Sequence, residues 1–490
     1  MKINIIGSGI AGLAASVRLA ASGHSVSVFE ANNYPGGKLS EFQIKGYRFD
    51  AGPSLFTMPQ LVEELFIFAG KNPQDHFVYT QLDKACNYFY EDGTRFSAFH
   101  DRKQFAEELK TALGFHQSEL LFKYLDKASF RYKITAPIFV EQSLNKPRNF
   151  LSFATLKGVL SAPKLGLFGS MNDENESIFS DKRLVQYFNR FATYNGSSPY
   201  LAPGLLNMIP HLEHNVGTYF PKKGMYNITQ SIFQLAKELG VNFYFNQRVE
   251  KIETIGERVC GIFVGGKLYE SDIVVSNADI HPTYKKLLPH VKAPQKLLEQ
   301  EKSSSALIFY WGIKRNYPEL DLHNILFSEN YEQEFDCLFK QKTIHNDPTI
   351  YINITSKYKK DDAPEGCENW FVMINVPNNC GQDWDLLIAA ARKSIVAKIN
   401  RLLSTDIESV IEVEEILEPR TIESKTSSFA GALYGNASNN KFSAFLRHKN
   451  FSSHIQGLYF CGGSVHPGGG IPLCLNSAKI VAQLVQEDYA

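Results

Sequence analysis

The chain has 490 residues, is 44% hydrophobic, and balances 51 Lys and Arg against 51 Asp and Glu. This length exceeds one ordinary core and predicts about two to three domains, or one large α/β unit with insertions. Zero net charge excludes the basic footprint of a nucleic-acid binder, and no run of about 20 uncharged apolar residues is present to span a bilayer.

Aromatic residues reach 13%, with 36 Phe and 23 Tyr. That surplus suits large cores, an apolar tunnel or a membrane-facing patch. The seven cysteines are scattered, odd in number and lack C-x-x-C spacing. They predict a reduced, intracellular protein without a zinc site or other metal. The first predicted strand begins at Lys2, which leaves no signal peptide ahead of it.

Residues 2–6 form a short apolar run that predicts a buried parallel strand. The glycine pattern Gly7-Ser8-Gly9-Ile10-Ala11-Gly12 follows, then a helical stretch over 11–21 that Gly23 stops. A second buried strand over 25–29 ends at Glu30. Such a βαβ unit binds a dinucleotide. Gly7 permits the tight turn, Gly9 lets the backbone approach a pyrophosphate, and Gly12 allows close helix–strand packing. The helix start offers free N–H groups and its positive dipole to the phosphates, and Glu30 stands where a carboxylate accepts from ribose hydroxyls. Gly36-Gly37-Lys38 comes next, a second backbone cradle with a cation that suits a longer diphosphate cofactor.

Residues 66–99 read as mixed strands and turns, with a hairpin at 91–96. Helices are predicted over 101–114, 118–133 and 180–194. The segment 221–252 returns to α/β texture, with a helix over 225–239, a strand over 242–245 and another starting near Arg248. Residues 271–279 form a strand with a small polar end. Further strands at 306–313, 349–356 and 370–376 precede a long helix over 384–402.

Near the far end, residues 457–463 predict a buried strand ending in glycines, and 471–486 has helical period. Pro472 suits a first helical turn. A second helix start therefore faces something polar or anionic. One extended FAD explains both glycine sites, its diphosphate at the first and its flavin at the second, where a helix dipole stabilises charge at the N1–C2=O edge of the reduced ring.

The block from Gly7 to Lys38 resembles the FAD-binding start of the flavin amine oxidase and carotenoid desaturase superfamily. Residues 462–472, GGSVHPGGGIP, resemble the C-terminal signature of bacterial carotenoid desaturases of the phytoene desaturase type, as do Gly52-Pro53-Ser54, 220–225 and 426–435. The resemblance implies an α/β fold in which a discontinuous Rossmann-like FAD-binding domain (1–80, 215–300 and 420–490) carries an inserted α+β substrate-binding, membrane-associating domain (81–214 and 301–419). It implies that Val249 faces the adenine and that Asn277 and Ala278 lie near the cofactor. The expected cofactor-binding set is Gly7, Gly9, Ile10, Ala11, Gly12, Glu30, Ala31, Gly36, Gly37, Lys38, Gly52, Pro53, Ser54, Val249, Asn277, Ala278, Gly462, Gly463, Gly470, Ile471 and Pro472.

Many phytoene desaturases carry an Asp and an Arg in the stretch opening Phe-Leu-Ser-Phe. Here Thr155 and Gly158 stand at those positions, and residues 189–204 look more like the hydroxycarotenoid 3,4-desaturases. The expected reaction is therefore FAD-dependent C-3,4 desaturation of a 1-hydroxycarotenoid, with phytoene desaturation and a flavin amine oxidase as alternatives and a FAD-bearing carotenoid carrier as the non-enzymatic reading. Quinone or oxygen is the expected electron acceptor.

No catalytic base is assigned. His466 is a candidate acid or base, or a loop histidine bonded to backbone. His211 and His214, in HLEH, read as an ordinary surface turn, and Lys222-Lys223 as a solvated loop. A carotenoid substrate implies a cytoplasmic protein held peripherally on the inner face of the membrane. Residues 149–172, with two charges only, are either an interfacial segment at a tunnel mouth or a covered loop and helix.

Overall fold

The computed structural model describes residues 1–144, 146, 153–440 and 447–489, except for the side chains of 153 and 154. Lys2–Ile6 is the middle strand of a five-stranded parallel sheet. Ser25–Phe29 and then Asn242–Tyr244 lie on one side of it, Ile273–Ser276 and then Leu458–Phe460 on the other. The unbroken apolar runs reflect burial on both faces. Ile3, Ile5, Val26, Val28, Ile273 and Val275 pack under the helices Ile10–Ala21, Tyr226–Glu238 and Ile471–Tyr489. Ile6, Phe29, Val274, Leu458 and Phe460 face an antiparallel sheet of Val249–Ile255, Arg258–Val264 and Lys267–Glu270.

The first helix buries every residue from Ile10 to Leu19. Its alanines and Gly12 allow that close approach, because small side chains let backbones meet. The last helix lies against it, so two helices far apart in the chain start side by side.

A second sheet has seven strands, in the order Ile411–Leu417, Ser305–Ile313, Glu368–Val376, Ile350–Ile354, His323–Leu326, Lys84–Phe89 and Arg95–Phe99. All neighbours are antiparallel except His323–Leu326 with Lys84–Phe89. Strand alternation splits the side chains between two faces. Leu307, Phe309, Trp311 and Ile313 pack under the helix Trp384–Leu403. Ala306, Ile308 and Tyr310 point the other way, into a large cavity.

Two expected elements differ. Residues 66–68 belong to a helix, Gln60–Phe68, rather than to strands and turns; Val62, Leu65 and Phe66 recur at helical spacing and are buried. The helix expected over 180–194 is divided into Lys182–Asn189 and a tighter turn, Arg190–Asn195. The turn stops at Gly196 with φ +65°, where a Cβ would stand 2.7 Å from Ser303 Cβ.

Candidate active site

One continuous cavity of about 1240 Å³ runs from the first glycine loop to the seven-stranded sheet. Gly7, Gly9, Ile10 and Ala11 line one end. Gly7 has φ +89°, and Gly9 precedes a helix that no side chain caps. The loop has no spare volume: a Cβ on Gly9 would lie 2.9 Å from Asn277 Nδ2. Gly12 alone of the expected residues stands outside the lining. It sits where a Cβ would meet the Gly7 carbonyl oxygen at 2.1 Å, which is the close helix–strand packing its spacing predicts.

Glu30 and Ala31 continue the wall. Glu30 Oε2 accepts from the Ser8 N–H and hydroxyl at 2.8 Å each, and Oε1 from the Asn32 N–H at 2.9 Å. These bonds hold the carboxylate at the strand end. Gly36 and Gly37 lie against the first loop, with the Gly36 N–H donating to the Ser8 carbonyl at 2.8 Å. Val249, Asn277 and Ala278 line the same stretch, and the Asn277 amide donates to the Gly7 carbonyl at 3.2 Å.

Gly462, Gly463, Gly470, Ile471 and Pro472 line the cavity as well, so both glycine-bearing helix starts open into one space. Gly52, Pro53 and Ser54 join them there. Lys38 lines the cavity too, and its ammonium is held by backbone. Its Nζ donates to the carbonyls of Leu433 and Ala432 at 2.8 and 3.2 Å, beside the segment that packs on Gly469. Burial lowers the Lys38 pKa, and Asp279 and Cys474 act against that shift.

The chamber over the seven-stranded sheet is walled by apolar groups, among them Ala306, Ile308, Phe371, Met373, Leu206 and Met208. Two polar groups interrupt it. Ser54 Oγ lies 2.8 Å from the Tyr351 hydroxyl, which lies 2.8 Å from His323 Nδ1. Arg190 contacts Glu213 at 3.2 and 3.3 Å, and both are buried. Burial pushes the Glu213 carboxyl up, but Arg190, His214 and the Tyr194 hydroxyl outweigh it and hold it below its ordinary range.

Residues 10–486 match the family described as "Flavin containing amine oxidoreductase". The chain belongs to that family. Among known proteins it is 54% identical to a 1-hydroxycarotenoid 3,4-desaturase of Flavobacterium sp. (strain P99-3), over all of both chains. It is 33% identical to a 4,4'-diapolycopene oxygenase of Methylomonas sp, over 99% of this chain and 98% of the relative. Among solved structures, cyclohexylamine oxidase from Brevibacterium oxydans IH-35A shares the fold with a TM-score of 0.63 at 14% identity, over 99% of each chain.

As a member of this flavin-dependent oxidoreductase family, the protein uses FAD. The residues present fit it. An uncapped helix start and a glycine wall that one Cβ would block suit a diphosphate, and the second glycine wall opens into the same cavity. The family's Asp and Arg positions are outside that cavity. Gly158 packs on the helix Phe115–Phe139, where a Cβ would come 2.6 Å from Ile138 Cδ1, and Thr155 lines no part of the chamber. Residues 150–152 of the Phe-Leu-Ser-Phe landmark, and residue 149, lie outside the described residues.

His466 is bound to backbone. Its Nε2 lies 2.9 Å from the Gln142 carbonyl oxygen and its own carbonyl accepts from Asn450 and Ser477. The HLEH segment is no surface turn. His211, Glu213 and His214 are all buried: Tyr187 bonds His214, Arg190 and Tyr194 bond Glu213 from the preceding helix and turn, and His211 pairs with Asn215 and packs on the Tyr132 ring. Lys222 and Lys223 are exposed.

Burial is the first cause that holds five histidines, His211, His214, His323, His448 and His466, down from 6.5 to about 4. As pH falls through that window, the unfolded chain takes up protons that the folded chain refuses. Their stabilisation is complete above 6.5 and declines towards 4. The denaturant midpoint should therefore drop between pH 7.5 and pH 5. A midpoint unchanged over that interval would contradict the neutral, buried histidines.

Proposed function

We propose that this protein is an FAD-dependent carotenoid desaturase that introduces the C-3,4 double bond of a 1-hydroxycarotenoid. The observation that carries the reading is the single cavity joining two glycine-lined helix starts to an apolar chamber, in a chain 54% identical to a protein of that activity. The segments 1–80, 215–300 and 420–490 form the FAD-binding domain. The segments 81–214 and 301–419 form the substrate domain. The 21 expected residues from Gly7 to Pro472 hold the cofactor, Gly12 through packing and the others from the cavity wall.

When bound, FAD would supply the two-electron acceptor for a hydride from one of two adjacent carbons, and the proton of the neighbouring carbon would be released to water as the new double bond forms. The protein's part is to align the polyene and exclude water. Ala306, Ile308, Phe371 and Met373 form a flat apolar floor for an extended chain. Such a surface binds by area rather than by directional bonds, which suits a hydrocarbon. A polyene delocalises positive charge, so no strong base beside the reacting carbon is needed. Quinone or oxygen reoxidises the flavin.

Carotenoids reside in bilayers, and the protein draws its substrate from one. No helix among the described residues is long and apolar enough to cross a membrane. Leu156, Val159, Leu160 and Phe168 are exposed instead. The helix that carries the first three, Phe153–Ser161, packs on Phe115–Phe139, whose end at Phe139 and Val140 lines the cavity. These residues form an interfacial patch at the mouth, on the inner face of the cell membrane. Leu156→Asp with Leu160→Asp should abolish pelleting with liposomes while FAD stays bound. Unchanged pelleting would remove the patch from the account.

The test of function is product analysis with phytoene and a 1-hydroxylated carotenoid in parallel liposomes. The hydroxylated substrate should gain a double bond and bleach the flavin anaerobically. Conversion of phytoene alone would assign the alternative step. Bleaching by amines alone would assign an amine oxidase, and a flavin that stays oxidised with every substrate would assign a carrier.

A further inference from the structure

His323 stands in the first strand position of His323–Leu326, is 3% exposed and lines the cavity. Its Nδ1 is an acceptor. Asn353 Nδ2 lies 3.2 Å from it, and that same nitrogen lies 2.9 Å from the Leu322 carbonyl oxygen. That carbonyl already accepts from the Ile354 N–H and would repel an amide oxygen at this distance, so the Asn353 N–H₂ group faces it and donates to both acceptors. The Tyr351 hydroxyl, 2.8 Å away, then donates its proton to Nδ1 and accepts from Ser54. Burial keeps the ring neutral. A neutral imidazole that accepts at Nδ1 carries its proton at Nε2. Among the described residues His323 Nε2 has no hydrogen-bond partner.

A buried donor without an acceptor is costly, and native structures rarely leave one. The residue that carries it lines a chamber built for hydrocarbon. Its partners link it to the C-terminal glycine loop. Ser54 follows Gly52, where a Cβ would lie 1.8 Å from the Lys38 carbonyl oxygen, and the Lys38 ammonium is bonded to Leu433 beside the C-terminal glycine loop. In a chain oxidised at C3 and C4, a hydroxyl on C1 lies only two carbons from the reacting bond. Its oxygen must find its partner close to the flavin.

We propose that His323 Nε2–H, held in place by Tyr351, Ser54 and Asn353, donates to the oxygen of the end-group hydroxyl and so selects hydroxylated over hydrocarbon polyenes. His323 acts as a specificity-determining residue through one hydrogen bond, and no proton is transferred. This rests on the reading of the protein as a desaturase of a hydroxylated carotenoid. It explains how an apolar chamber distinguishes two substrates that differ by one oxygen: an unpaired buried donor penalises the chain that lacks it.

The holoenzyme is compared with His323→Phe and His323→Gln. Kd is measured by quenching of tryptophan fluorescence for a 1-hydroxylated acyclic carotenoid and for its non-hydroxylated parent, and kcat and KM are measured for the hydroxylated one. His323→Phe should reduce the preference for the hydroxylated ligand by about 10- to 100-fold, chiefly in Kd and KM. His323→Gln, which retains a donor, should recover part of that preference. Equal weakening of both ligands, an unchanged preference, or loss of FAD in place of ligand discrimination would each overturn the assignment. Wild-type protein that turns over no hydroxylated polyene would instead refute the functional reading on which it rests.

Discussion

Gly12→Ala is expected to give a folded chain that binds FAD at least about 100-fold more weakly. The added Cβ would stand 2.1 Å from the Gly7 carbonyl oxygen and 2.9 Å from Asn277 Nδ2. The first contact is with backbone, so no side-chain rotation relieves it. The helix Ile10–Ala21 must move away from the glycine loop, and its start then no longer faces the cavity. The sheet contacts of that helix are extensive, so local displacement is the expected response rather than unfolding. Gly70→Ala is the control: no atom lies within 4 Å of its Cβ position, so its φ of +73° costs stability without moving the glycine loop, and Gly70 is outside the cavity lining. It should retain FAD. Flavin absorbance per mole of protein, after dialysis against FAD, reads both. Full occupancy in Gly12→Ala would show that the loop tolerates the shift.

Arg190→Met is expected to destabilise the protein by about 3–5 kcal/mol. Arg190 and Glu213 are 7% and 2% exposed, and that burial decides the sign and size of the effect. At a surface such a pair contributes little; here, removing the cation leaves a carboxylate in an apolar chamber with only the Tyr194 hydroxyl and the nearby His214 to support it. The guanidinium also lies over the Phe191, Tyr194 and Tyr88 rings at 4.5, 5.3 and 5.4 Å, contacts that methionine replaces in part. Arg190→Met with Glu213→Gln should recover most of the loss, because the uncompensated charge is then gone. Denaturant midpoints of the two variants check this. A double variant no more stable than the single would show that packing on the rings, and not charge, governs the site.

The nucleotide-binding half was legible because its signals are local. A parallel strand buried on two faces is an unbroken apolar run, and a glycine spacing that admits a phosphate also packs a helix on a strand, as Gly7, Gly9 and Gly12 do. The second glycine site was legible for the same reason, through residues 457–472. The polar groups of the chamber carry no such signal. Ser54, His323 and Tyr351 meet from three separate segments; the Gly52-Pro53-Ser54 motif marks the first, and nothing in the neighbours of His323 and Tyr351 marks them. Glu213 and its flanking histidines looked like a solvated turn, because the letters HLEH contain only polar groups and one leucine. Their burial depends on Arg190 and Tyr187, which only the tertiary fold brings near. Residues 66–68 end a short apolar run, 65–69, that fits either a strand or a helix until its neighbours are known. The bonds from the Lys38 ammonium to Leu433 and Ala432 were not legible, because a four-carbon side chain reaches past its own loop to a segment far along the chain.

The middle place of Lys2–Ile6 in its sheet bears on biosynthesis. That strand leaves the ribosome before its neighbour Ile273–Ser276, and Leu458–Phe460 follows far later. At ordinary translation rates one edge of the early strand pair stays bare for on the order of tens of seconds. A bare strand edge is a template for joining another chain. The nascent polypeptide therefore depends on chaperone shielding until its last strand is made, and a higher chaperone level during expression should raise the yield of soluble enzyme.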